Sequence, residues 1–219
     1  MDAKQMFLLN HARAHTAAMQ RGDEALLAPH LGADVEQRHL GDRLEDAALL
    51  GLSDDQIRLR PNEGQNSIAW LLWHMARSED VAMNAIVAGR NQIIDEGGWT
   101  GQLNIDARHV GAGMDDAEVS DFCNRVDVAA LRSYRVAVGK RTREIAEAMT
   151  PDRWDEALDE GNLRRAVEDG AIGENAGWVR DFWANRTNAW FFSLVVGHNF
   201  LHIGEALSVR SQAGAPLGA

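Results

Sequence analysis

Apolar residues recur along this chain every three to four positions, and runs with period-two alternation are scarce. That pattern predicts helices. A first helix is expected over about residues 2–20, ended by Arg21-Gly22-Asp23, and a second segment over about 34–50, stopped at Gly51. Pro61 and Gly64 mark a loop, after which Asn66 or Ser67 can cap a long helix running to about residue 89. Residues 97–113 read as a glycine-rich connection holding Trp99 and His109. A short helix over 115–124 and a long one over 127–149 follow. Thr150-Pro151 ends the latter and opens a short turn or helix around Trp154. Residues 159–177 read as a second long loop, and the last long helix spans about 186–210 before Ala213-Gly214-Ala215-Pro216. Long helices joined in this way predict an all-α, antiparallel bundle. Two loops of about 17 residues exceed the usual connection length and are expected to line a binding site or the surface.

On a wheel of roughly 100° per residue, Ile68, Leu71, Leu72, Met75, Ala82, Met83 and Ile86 form one stripe of the helix that begins at 66 or 67. His74 lies at the edge of that stripe, one turn after Trp70. Glu79 lies within it, where a carboxylate must be paired, protonated or near solvent. In the last helix Phe191, Leu194, Val195, Leu201, Ala206 and Val209 share a face, and His198, His202 and Glu205 are expected in its middle.

His198 and His202 are spaced i, i+4, so their rings project side by side. Two neutral imidazoles so placed can bind one metal ion, with each remote ring nitrogen held by another group. His74 is the natural third ligand from another helix. Three histidines leave coordination positions open, as in catalytic rather than structural zinc sites. The alternative is a bundle without a metal, whose core histidines are satisfied by hydrogen bonds; it requires His74 to lie far from His198 and His202. His11 and His15 repeat the i, i+4 spacing near the N-terminus and are expected on a half-exposed helix, at a second metal pair or joined to the first. His30, His39 and His109 have no patterned neighbour and are read as loop or surface residues.

Charge narrows the function classes. The chain carries 22 Lys+Arg against 33 Asp+Glu, a formal charge of −11. This speaks against general nucleic-acid binding and against docking on anionic lipid. One cysteine, Cys123, permits no internal disulfide and is expected to be an ordinary core or surface residue. No stretch is apolar for long enough to span a membrane, and the start does not read as a secretion signal, so a cytoplasmic protein is expected. Seven tryptophans are expected mainly in helix packing, with Trp99 and Trp178 at the long loops placed to wall a pocket or a partner contact.

The stretch Asn66-Ser67-Ile68-Ala69-Trp70-Leu71-Leu72-Trp73-His74-Met75-Ala76-Arg77-Ser78-Glu79-Asp80 resembles the DinB-like superfamily helix that carries its first metal histidine. Gly197-His198-Asn199-Phe200-Leu201-His202-Ile203-Gly204-Glu205-Ala206 resembles the closing His-x-x-x-His helix of the same family, and Gly51-Leu52-Ser53-Asp54-Asp55-Gln56 with Arg60-Pro61 matches the approach to the first. The resemblance spans roughly residues 34–214, leaving 1–33 as an N-terminal helical extension of a single domain over 1–219. It implies a four-helix bundle with one divalent metal held by His74, His198 and His202, and often a homodimer. Relatives include bacillithiol and mycothiol S-transferases and a mycothiol-dependent maleylpyruvate isomerase. In the isomerase-like branch one ligand position of the last helix tends to be Glu; here both are His, which is closer to the broad group.

The expectation is therefore a metal-dependent enzyme. The metal would be zinc by ligand type, with nickel, copper or iron also suited to imidazole. A thiol S-transferase would use the ion to favour the thiolate of a low-molecular-weight thiol; a hydrolase would use it to activate water. Glu205 and Glu79 are the candidate proton-handling carboxylates, with a salt bridge or dimer contact as the alternative role. The competing function class is a non-catalytic metal- or ligand-binding stress-response module.

Overall fold

The computed structural model describes residues 44–215. The expected N-terminal helix, His11, His15, His30 and His39 lie outside the described residues, as does most of the segment 34–50. Among the described residues the fold is all-α, with only one isolated bridge, Ala157 to Thr187. Two short helices come first, α1 (Leu44–Leu49) and α2 (Asp54–Arg58). Ser53 and Gln56 close a reciprocal capping box on α2.

Helix α3 (Ile68–Glu79) starts where the sequence predicts: the Ser67 side chain accepts from the Trp70 amide. It runs on without a break into a π-helical stretch, Asp80–Val87, and ends at Gly89, whose φ is +63°. The wider turn there is visible in the bonds, since Ala88 N–H donates to the Met83 carbonyl. Trp99–Leu103 (α4) is a short helix inside the first long connection. Asp115 and Glu118 form the capping box of α5 (Asp116–Arg125), and Asp127 caps α6 (Val128–Ala148). Pro151 sits in the first turn of α7 (Pro151–Asp155), where its missing N–H costs nothing.

The second long loop is a correction. Residues 160–168 form α8 (Glu160–Glu168), capped by Asp159 and burying Leu163 and Ala166. Gly161 and Asn162 are poor helix formers, which hid it. Leu163, Ala166 and Val167 nevertheless keep helical spacing, and the Asn162 amide donates to the Ile86 carbonyl at 3.1 Å. Two α-helices remain, α9 (Trp178–Trp183) and α10 (Asn188–Gln212), the latter capped by Thr187.

Helix α3 is the centre of the structure, packed against α6 and α10, with α1 laid along α10. Its burial is therefore not confined to the predicted stripe. From Ile68 to Val87 nearly every residue is buried, Trp70 and Trp73 included. On α10 the predicted Phe191, Val195, Ala206 and Val209 are buried, but the buried face extends to Phe192, Asn199 and Ile203, whereas Leu201 is 76% exposed. The two α10 histidines thus sit at the margin of that face.

The apolar core divides into two clusters. One holds Ile68–Ala76 with Leu131, Tyr134, Val138 and Ile203; the other holds Val81–Val87 with Ile145, Trp154, Phe191 and Val195. All three long helices change cluster at one level and carry polar side chains there: Arg77, Glu79 and Asp80 on α3, Arg135 and Thr142 on α6, Asn199 on α10. The charges are paired. Arg77 donates to Asp80, Tyr134 and Gln92, while Asp80 also accepts from the Ile93 and Ile94 amides. Arg135 donates to Glu45 at 3.0 Å and to Glu79 at 2.7 Å. Burial pushes the Glu45 carboxyl up to about 7, outweighing the attraction of Arg135. A carboxyl that holds its proton more tightly folded than unfolded lends stability at low pH, lost as pH rises from about 4.5 through about 7. Glu45→Gln removes that loss. Its stability deficit against the wild type is expected to shrink between pH 5 and pH 8, as read by denaturant titration at both values.

Candidate metal centre

Helix α3 brings His74 and helix α10 brings His198 and His202 to one place. Their ligating nitrogens all lie within 4.8 Å of one another. Metal–nitrogen distances near 2 Å require ring nitrogens no farther apart than about 5 Å, so the three rings fit a shared ion, and the reading in which His74 is remote fails. Ring centroids are 4.7 Å apart for His74 and His198, 4.9 Å for His74 and His202, and 4.5 Å for His198 and His202. His198 Nε2 is 3.0 Å from His74 Nε2.

The surroundings set the direction of each ring. His74 Nδ1–H donates to the Val110 carbonyl. A carbonyl only accepts, so the proton sits on Nδ1 and the lone pair on Nε2, facing the other histidines. The Trp70 ring stacks on His74 with centroids 4.8 Å apart and planes 15° from parallel, and Trp70 Nε1–H donates to Met114 Sδ at 3.3 Å. Val110 is itself fixed, its N–H donating to the Ala171 carbonyl at 2.9 Å. Both long connections therefore converge on His74: one supplies its acceptor, the other anchors that acceptor. His202 Nδ1–H donates to Glu205 Oε2 at 2.9 Å. Two of the three histidines thus have their remote nitrogens held as metal-ligating histidines usually do.

Electrostatics favour neutral rings. Burial lowers His74 to about 4 despite the helping Val110 carbonyl. Burial, then the neighbouring His74 and His202 and the Arg135 guanidinium, lowers His198 to about 2. At neutral pH both rings present lone pairs, the form a metal needs. His202 and Glu205 open the group to solvent, with side chains 22% and 40% exposed.

The remaining candidates divide. Glu205 stands beside His202 and partly in solvent. Glu79 is fully buried behind the histidines, bound to Arg135 and Asn199. His109, read as a loop or surface residue, is on a loop but meets Trp73 edge-on with centroids 5.8 Å apart. It also lines a cavity of about 230 Å³ with Met114 and Phe122, to which none of the three clustered histidines belongs. Cys123 is buried, its Sγ 3.0 Å from the Oγ of the α3 cap Ser67. Trp99 packs on Tyr134, and Trp178 is 62% exposed beside Phe182. Sequence reasoning missed the supporting residues Val110, Asn199, Arg135 and Glu45; only the flank of His198 by a polar, helix-disfavoured Asn hinted at one of them.

Gly111 makes the close approach at this site possible. Its φ is +91°, and a Cβ there would lie 2.6 Å from Trp73 Cζ3 and 3.1 Å from Trp70 Cζ2. Both rings belong to the packed wall around His74. Gly111→Ala is expected to cost about 1–3 kcal/mol and to displace the Val110 carbonyl. Thermal unfolding and the His74 ring resonances report the two effects.

No curated protein matches the chain. The fold is similar to that in the crystal structure of a conserved protein from Enterococcus faecalis, with TM-score 0.60 at 15% identity, over 97% of this chain and 98% of that one. The family model of the DinB superfamily matches residues 37–206. With that match over most of its length, the chain belongs to the DinB superfamily.

Proposed function

We propose that this protein binds one divalent transition metal through His74, His198 and His202 and uses it in an enzymatic reaction, transfer of a low-molecular-weight thiol before hydrolysis. The observation that carries the reading is the convergence of three imidazoles from two helices within 4.8 Å, two of them held from behind by Val110 and Glu205. Zinc is the metal the ligand type suggests, with nickel as second choice.

The ion would supply a Lewis acid that favours the deprotonated form of a bound thiol or water. The chain's own residues do the rest. Val110 and Trp70 hold the His74 ring in plane, and α10 holds the other two rings at a fixed spacing of one turn. Glu205 accepts a hydrogen bond from His202 Nδ1–H, which fixes the orientation of that ring and leaves its Nε2 for the ion. Three neutral ligands leave the ion's charge uncompensated, which favours an anionic partner. The partial exposure of His202 and Glu205 supports access for one, and argues against a sealed structural site.

The reading includes a cytoplasmic homodimer acting on a small molecule. Among the described residues no helix is long and apolar enough to cross a membrane. Phe200 and Leu201 on α10 are exposed, as are Trp178 and Phe182 on α9, and exposed apolar side chains of this size support a second copy as partner. Metal analysis of the purified protein tests the site. Assays of thiol transfer to electrophiles, run beside ester and amide hydrolysis, test the reaction. Absence of metal after reloading with zinc or nickel would end the proposal.

A further inference from the structure

We propose that a hollow between the end of α3 and helix α8 is a binding site for a small monocarboxylate, held by Arg90, Arg165 and the side-chain amide of Gln92. None of the three clustered histidines lines it, so it stands apart from the metal centre.

Gln92 forms part of the hollow's wall, yet the residue is only 2% exposed. Arg77 Nη2–H donates to its Oε1 at 2.7 Å. A guanidinium only donates, so the amide has one orientation, with oxygen toward Arg77 and nitrogen away from it. That Nε2 has no partner among the described residues. A donor held in so buried a side chain is costly to leave without an acceptor, and such a group calls for an occupant.

Two guanidiniums line the same space. Gly89, with φ +63°, turns the chain out of α3, and the Arg90 N–H donates back to the Asn84 carbonyl at 2.8 Å. The Arg90 side chain makes no ion pair among the described residues. Arg165 donates to Asn162 Oδ1, while Asn162 Nδ2–H donates to the Ile86 carbonyl at 3.1 Å. Asn162 thus ties the last turn of α3 to the Arg165 fork, and its neutral oxygen leaves the Arg165 charge unbalanced. Two carboxylates also line the hollow, Asp95 and Asp169. Asp95 pairs with Arg108, whereas Asp169 has no ion pair among the described residues. Two free guanidiniums against one free carboxylate leave an excess of one positive charge. A ligand carboxylate fits that excess, since it accepts parallel bonds from a guanidinium and a further bond from an amide. A phosphate brings added negative charge, which Asp169 and Asp95 oppose. The hollow measures about 70 Å³. At about 10–15 Å³ for each water it has space for roughly five waters, or for a carboxylate with one or two further carbons.

The test titrates the full chain with acetate, with inorganic phosphate and with chloride at equal ionic strength, reading the Gln92 side-chain amide in ¹H–¹⁵N spectra. That amide reports this hollow and not the metal centre. Acetate is expected to shift it saturably, chloride is not, and phosphate should bind more weakly than acetate. Arg90→Gln and Arg165→Gln are each expected to weaken acetate binding about tenfold, as loss of a hydrogen bond to a charged group does. Both arginines are exposed, so the variants keep the fold. Arg164→Gln is the control: it removes the same charge from the preceding position of α8, outside the hollow, and should leave acetate affinity unchanged. No saturable shift with acetate, wild-type affinity in either hollow variant, or an equal loss in Arg164→Gln overturns the inference. Tighter binding of phosphate than of acetate overturns the monocarboxylate assignment. None of these outcomes bears on the three-histidine site.

Discussion

Wild-type protein is expected to hold about one divalent ion per chain, and His74→Ala and His202→Ala are each expected to lose it. The two substitutions probe different elements. His202→Ala leaves one ligand on α10, and His74→Ala leaves the i, i+4 pair but removes the only cluster member on α3. A shared site predicts loss in both; a site on α10 alone predicts loss in only the first. His109→Ala is the control, because that half-buried ring faces Trp73 and stands outside the cluster. Stability gives an independent readout. Ligand at about 100 times its dissociation constant stabilises the fold by about 2.7 kcal/mol. Added zinc should therefore raise the melting temperature of wild type and His109→Ala, and leave both cluster variants unmoved. Metal retained in full by His74→Ala would remove α3 from the site.

The second large effect is structural. Arg135→Met is expected to destabilise the protein by about 3–5 kcal/mol, because it leaves Glu45 and Glu79 buried without their cation. All three side chains are at most 1% exposed, so solvent does little to screen them. For a chain of this size the melting temperature should fall by roughly 6–20 °C. Adding Glu79→Gln to Arg135→Met should recover part of the loss, since it removes one stranded charge while keeping an acceptor for Asn199. Arg125 gives the contrast. It pairs with Asp106 and Asp121 at the surface, where the partners' side chains are 90% and 65% exposed. Arg125→Ala should leave the melting temperature close to that of wild type. Equal losses in Arg135→Met and Arg125→Ala would show that the buried layer contributes no more than a surface pair.

Much of the architecture was legible in the residues. Capping side chains at Ser67, Asp115, Asp127 and Thr187 start helices within two residues of the predicted positions, because the cap satisfies amides next to it in sequence. The i, i+4 pair on α10 and the third histidine on α3 were legible for the same local reason, helped by two stretches that resemble one family. Where the reading failed, a distant contact had overridden local preference. Glu160-Gly161-Asn162 looks like loop, yet α8 forms because Leu163 and Ala166 find apolar neighbours and Asn162 reaches Ile86. Leu201 fits the apolar stripe of α10 on a wheel, yet it is exposed, because α3 takes the side of α10 that bears Asn199 and Ile203.

The sequence by itself determined the all-α class, where the helices capped by Ser67, Asp115, Asp127 and Thr187 begin, and which three imidazoles were available to share an ion. Those properties follow from contacts within a turn or two of helix. The tertiary structure alone decided that the three rings meet, that Val110 and Glu205 orient two of them, and that Arg135 and Asn199 both bond to the buried Glu79. His74 and His198 are 124 residues apart and Arg135 and Glu45 are 90. No local periodicity encodes such pairings. They come from the burial of α3 between α6 and α10, which removes polar groups from water and leaves them only one another as partners.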